Sequence, residues 1–209
     1  MMSLSVHDIG CRRGSRLLFK GLNFELQSGQ ALHLAGGNGA GKTSLMRLIA
    51  GLATPECGYL SWGGKDIRHL GEAYREQLFY VGHLNAVKED LDAEEALQEW
   101  AYLAGQVLDA SQAGRVLEEA GLAAFKGRAL HSLSQGQRRR VALARLLLAR
   151  QRRLWILDEP AVGLDEQAIN WMLAMMESHL AGGGLLVYTT HQPLKIDGFM
   201  SQHLKLGDA

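Results

Sequence analysis

The chain has 209 residues, and its 22 lysines and arginines balance 22 aspartates and glutamates. Zero net charge weighs against nucleic acid as the main partner, because a phosphate backbone is bound by a basic excess. The 47% apolar and 21% charged fractions are those of an ordinary globular core and surface. The length suits one large domain or a domain carrying an insertion.

Cys11 and Cys57 lie far apart and offer neither metal-ligand spacing nor a disulfide framework, which fits a reducing compartment. Residues 1–8 lack the charged and apolar runs of a signal peptide, so none is expected. The most apolar helical stretch, 141–149, is interrupted by Arg145, and nothing approaches the roughly 20 apolar residues of a membrane span. The expectation is a cytoplasmic protein that meets a membrane only through a partner.

In chain order, residues 3–35 read as short strands joined by glycine-containing turns. Residues 22–26 alternate, and 30–35 run as a strand into a glycine-rich loop. Residues 44–52 read as the helix that this loop opens, and 54–58 as a turn. The texture changes after a strand at Phe79-Tyr80-Val81 and Gly82. Asp92 can cap a helix through Ala104 that aligns Leu97, Trp100, Ala101 and Ala104 on one face. A second helix is expected over 111–120, stopped by Gly121, and a third over 134–150. Strand character returns at 154–157 and 185–190, around a helix at 165–180 that ends at Gly182-Gly183-Gly184. The expected organisation is one domain, 1–209, with an α/β core over 1–83 and 151–209 and a helical subdomain over about 84–150.

Gly36-Gly37-Asn38-Gly39-Ala40-Gly41-Lys42-Thr43 fits a phosphate loop of the form G-x-x-x-x-G-K-[ST], with the strand before it and the helix after it that the motif requires. Glycines allow the close backbone approach to a triphosphate that a Cβ would block. The N–H groups of 39–44 would form an anion nest, reinforced by the positive end of the helix. Lys42 is expected at the β- and γ-phosphates, the Thr43 hydroxyl on Mg²⁺, and Ser44 near the α-phosphate. Leu154-Trp155-Ile156-Leu157-Asp158-Glu159 is an apolar strand that ends in two carboxylates. Alone, these acids would read as solvated. Paired with the upstream loop, Asp158 is expected to hold Mg²⁺ through water and Glu159 to act as general base on the attacking water.

A second motif, Leu133-Ser134-Gln135-Gly136-Gln137, opens a strongly basic helix just ahead of that strand. Serine and glycine donors at a helix N-terminus make an anion site. Most of the arginines that follow, Arg138, Arg139 and Arg140, read as a solvated face. The order of loop, turn and acidic strand resembles the ATP-binding subunits of ABC transporters over nearly the whole chain. The resemblance implies a P-loop NTPase (RecA-like) core with an antiparallel β subdomain and an inserted α-helical subdomain. It implies ATP hydrolysis coupled to transport by a homodimer that sandwiches ATP, with Ser134 and Gly136 completing the pocket of the opposite subunit. Gln135 stands where the family usually has glycine. His191 is then expected at the γ-phosphate, a catalytic partner of Glu159 and Lys42, although a lone histidine at a strand end is more often structural. Asp165 falls in the loop that lies across the dimer interface. His83 occupies or adjoins the place of a glutamine that touches Mg²⁺ and signals to an integral membrane permease subunit. Adenine falls to Arg13, whose plane can stack on a base, or to Phe19.

The short chain, Gly82-His83 and Thr190-His191-Gln192 resemble one branch of that family, the cytochrome c maturation or haem exporter ATPases. This implies a peripheral subunit on the cytoplasmic face of a bacterial inner membrane. Haem would be handled by partners, since eight histidines come without a C-x-x-C-H attachment motif. A GTP-binding switch would need an Asn-Lys-x-Asp motif, which is absent. A chromosome ATPase head would need a long coiled coil where only about 90 residues separate the two motifs. A translation-type protein would carry two cassettes. Another small ABC exporter with unrelated cargo is the alternative.

Overall fold

The computed structural model describes residues 2–83, 88, 90–191 and 194–207. The chain forms two compact units, one of Met1–Tyr80, Arg152–Glu159 and Met176–Ala209, the other of Val81–Gln151 and Pro160–Met175. Residues 160–175, read from the sequence with the α/β core, cluster with the helical unit. In chain order the elements begin with β1 (Ser3–Arg13), β2 (Arg16–Gln27), β3 (Ala31–Ala35), α1 (Lys42–Ile49), β4 (Cys57–Trp62) and β5 (Lys65–Asp66). The one-turn helices α2 (Ile67–Leu70) and α3 (Glu72–Arg75) lead to β6 (Leu78–Val81). Then come α4 (Ala93–Leu103), α5 (Ala110–Glu119), α6 (Gln135–Ala144), β7 (Leu154–Leu157), α7 (Glu166–Ala181), β8 (Leu185–Thr189) and β9 (Ser201–Lys205).

The first unit contains two sheets, an antiparallel one in the order β2-β1-β4-β5 and a second in the order β6-β7-β8-β3-β9. In the second, β3 pairs in parallel with β8 and β9, and β7 with β8. All four residues of β7 and all five of β8 are buried, as in a parallel sheet covered on both faces. Leu32, Leu34, Leu45, Leu48, Ile49, Trp62, Ile156 and Val187 belong to one apolar core joining both sheets to α1. The strands expected to be short are long, at 11 and 12 residues. Register shifts between Val6 and Cys11, with Asp8 at φ 49°, absorb the irregular positions as bulges instead of ending the strand. The turn expected over 54–58 gives way to β4 at Cys57.

The helical unit has its own core, built from Ala93, Ala96, Leu97, Leu117, Leu122, Leu130, Val141 and Leu147. Capping boxes start α4, α5 and α6: Asp92 with Glu95, Asp109 with Gln112, and Ser134 with Gln137. Asp92 and the Gly121 stop match the sequence reading, while Asp109 starts α5 one residue earlier than expected. Ala104 is exposed rather than on the buried face, because α4 ends at Leu103. The third helix ends at Ala144, and Arg145–Leu147 tighten into a 3₁₀ turn where Arg145 Nε donates to the Ala142 carbonyl at 2.8 Å.

Within the first unit, Trp155 of β7 stacks on His179 of α7, with ring centroids 4.0 Å apart and planes 7° apart. His179 Nε2 donates to the Leu185 carbonyl at 3.1 Å. Burial pushes the His179 imidazole down to about 4, outweighing the hydrogen bond to Leu185 that favours its charged form. The unfolded chain therefore takes up this proton near pH 6.5 and the folded chain only near 4. Stability from this residue is complete above pH 6.5 and declines as pH falls, by about 3 kcal/mol at the acid end. Denaturant unfolding of His179→Gln, which does not titrate, should show a flatter pH dependence than the wild type between pH 6.5 and 4. Parallel profiles would show that His179 is not the source of the acid sensitivity.

Candidate active site

The phosphate loop joins β3 to α1, and its path depends on glycine. Gly36 has φ 139°, and a Cβ there would stand 2.5 Å from the Leu206 carbonyl oxygen. Gly41 caps α1 from the left-handed region at φ 102°. The ring edge of Phe19 lies 3.1 Å from where a Gly41 Cβ would be, and Phe19 is buried. Phe19 therefore braces the loop from the core and is not offered to a base, which corrects that half of the adenine expectation. Arg13 is exposed at the end of β1 opposite Arg16. Arg16, which the sequence did not single out, brings Nη1 to 3.8 Å from the Gly39 Cβ position.

Gly37, Asn38 and Gly39 are exposed, while Ala40, Lys42, Thr43 and Ser44 are half-buried. Lys42 Nζ donates to the carbonyls of Gly36 at 2.7 Å and Gly37 at 3.2 Å, which fixes the ammonium over the loop. Thr43 Oγ1 donates to Asp158 Oδ2 at 2.8 Å. Asp158 is only 2% exposed, and its other oxygen, Oδ1, accepts from Thr189 Oγ1 at 2.8 Å. Thr189 in turn accepts the Glu159 backbone N–H at 2.8 Å. Thr189 is the site residue that the sequence reading missed; its one signal is a hydroxyl closing an otherwise apolar strand.

Glu159 has φ 50°, a left-handed conformation that costs a non-glycine residue of order 1–3 kcal/mol. The turn brings its carboxylate to His191, whose backbone N–H donates to Oε2 at 3.2 Å and whose Nε2 lies 3.3 Å from Oε1. Two consecutive carboxylates thus have separate surroundings, hydroxyls for Asp158 and a histidine for Glu159. Thr43 and Asp158 are hard oxygen donors in contact, a set suited to Mg²⁺.

The helical unit carries the second motif. Ser134 Oγ accepts the Gln137 N–H at 3.2 Å, and Gln137 Oε1 accepts the Ser134 N–H at 2.9 Å. Ser134 and Gln135 are exposed at this helix N-terminus. A Cβ on Gly136 would stand 2.1 Å from the Gly163 carbonyl oxygen, so the loop through Gly163 packs directly on this glycine. Asp165 accepts the Ala168 N–H at 2.8 Å and pairs with Arg140 at 3.4 Å. The arginine run is not a solvated face: Arg138 and Arg140 are half-buried, and Arg139 is 3% exposed. Arg139 packs against the Gly82 and Pro160 carbonyls and Arg140 against the Asp165 carboxylate, all within the same unit. His83 is exposed, and the neighbouring coupling segment 84–87 lies outside the described residues.

The loop between β3 and α1, the buried Asp158 bonded to Thr43, and the Glu159–His191 pair define a P-loop nucleoside triphosphatase. The ABC transporter family profile matches residues 19–162. The cytochrome c biogenesis ATP-binding export protein CcmA of Dechloromonas aromatica is 48% identical over 98% of this chain and 100% of its own length. CcmA of Nitrosospira multiformis is 46% identical over 99% and 100%. A solved dimeric, post-hydrolysis state of an ATP-binding cassette bound to ADP and Pi shares the fold, with TM-score 0.82 and 20% identity over 98% of this chain and 94% of that one. The chain belongs to the ABC transporter family, within its group of cytochrome c biogenesis ATP-binding export proteins. Among the described residues, no helix is long and apolar enough to cross a membrane.

Gly136→Ala should lower turnover by roughly ten- to a hundredfold, because the new methyl displaces the loop through Gly163. Nucleotide affinity should stay near wild type, since the phosphate loop is untouched. Steady-state ATPase assays with a nucleotide titration check this; unchanged turnover would show that the Gly136–Gly163 contact is dispensable.

Proposed function

We propose that this chain is the ATP-hydrolysing subunit of an ABC transporter for cytochrome c biogenesis, serving haem export. The observation that carries this is the linked set Thr43–Asp158–Thr189–Glu159–His191 in a chain that aligns with CcmA proteins end to end. Lys42 and the N–H groups of the loop bind the triphosphate. Thr43 and Asp158 would hold Mg²⁺, with His83 a further candidate, and the ion would neutralise phosphate charge. Glu159 takes the proton of the attacking water, and His191 orients Glu159 and contacts the γ-phosphate. Ser134 and Gly136 complete the nucleotide pocket of a second copy in an ATP-sandwich homodimer. The membrane partner is an integral permease of the CcmB kind, which places the dimer on the cytoplasmic face of the bacterial inner membrane. No nucleic acid and no direct haem binding belong to this role.

Glu159→Gln should keep MgATP binding and lose turnover by about 10²–10⁴, because water loses its base while the phosphate contacts remain. Wild-type hydrolysis by that variant would remove Glu159 from the mechanism. Deleting the protein should abolish assembly of c-type cytochromes and leave b-type haem proteins normal, read by haem staining and spectra. Normal c-type cytochromes with a defect in another exported compound would assign a different cargo.

A further inference from the structure

The arginine run that opens α6 contains a buried charge that the mechanism above does not use. Arg139 Nη1 donates to the Gly82 carbonyl at 3.0 Å, and Nε donates to the Pro160 carbonyl at 3.4 Å. Gly82 immediately precedes His83, and Pro160 immediately follows Glu159. One side chain therefore holds the backbone beside the candidate switch residue and the backbone beside the candidate base. We propose that Arg139 is a positioning residue for ATP hydrolysis, coupling the helix of the Ser134–Gly136 turn to the segments that carry His83 and Glu159. This rests on the ATPase reading given above.

Three physical features support it. A buried guanidinium must find acceptors, so these contacts are maintained wherever the unit is folded. The guanidinium is planar with donors in fixed directions, so it sets the spacing of the two carbonyls relative to α6. Gly82 and Pro160 accept through main-chain atoms, so the restraint acts on the path of the chain. Six residues further along, Arg145 lies over the Trp100 ring at 4.0 Å and anchors α6 to α4 in the same unit. A shift of α6 when its N-terminus meets an anion would thus reach both segments through Arg139.

The test compares Arg139→Met, Arg139→Lys and Glu159→Gln in the purified full-length chain, with circular dichroism to establish folding. Arg139→Met should lower kcat roughly ten- to a hundredfold. Its KM and its affinity for MgATP should stay within about twofold of wild type, the pattern of a lost transition-state arrangement. Arg139→Lys, which keeps the charge but has a single donor head, should recover part of the lost kcat. A folded Arg139→Met with wild-type kcat would overturn the proposal, as would equal losses in kcat and nucleotide affinity. Should Arg139→Met fail to fold, Arg139→Lys decides: reduced kcat at unchanged KM supports the proposal, and wild-type kcat overturns it. Full turnover by Glu159→Gln in the same assay would instead sink the ATPase assignment of Glu159, whatever Arg139 does.

Discussion

A carboxylate buried at the end of an apolar strand must be satisfied by hydrogen bonds, and Asp158 meets this demand with hydroxyls from two other segments. Thr43 at the start of α1 reaches one oxygen and Thr189 at the end of β8 reaches the other. Leaving either oxygen unpaired at 2% exposure would cost a few kcal/mol, so the loop, β7 and β8 are held to one geometry. The rest of the candidate site inherits its precision from that single buried acid.

Glu159 shows what this geometry costs and what it achieves. The chain turns through a left-handed residue directly after Asp158, and the turn separates two adjacent carboxylates into different surroundings. Thr189 offsets part of the strain by accepting the Glu159 N–H. Asp158 faces hydroxyl groups suited to a cation, while Glu159 faces His191. Two like residues next to each other in sequence thereby acquire different chemistry from their neighbours alone.

The helical unit uses other means to the same end. Capping boxes fix where α4, α5 and α6 begin, and close packing of Gly136 on Gly163 leaves no room for a side chain. Arg139 and Arg140 of α6 turn to oxygen acceptors of the same unit, so α6 carries positive charge inside it.

The sequence by itself determined whatever depends on neighbours in the chain. The glycine spacing of the phosphate loop, the acidic end of β7, the caps at Asp92 and Ser134 and the stop at Gly121 are local, and periodicity or backbone freedom reveals them. Tertiary structure alone decided what depends on distant partners. β9 carries exposed and half-buried polar residues with little strand signal, and it becomes a strand because it pairs with β3, 170 residues away at His33 and His203. Phe19 became core because the loop lies against it, Thr189 a site residue because Asp158 lies beside it, and Arg139 buried because two carbonyls face it. Burial and pairing are properties of surroundings assembled from remote segments, and no local pattern records which segments those will be.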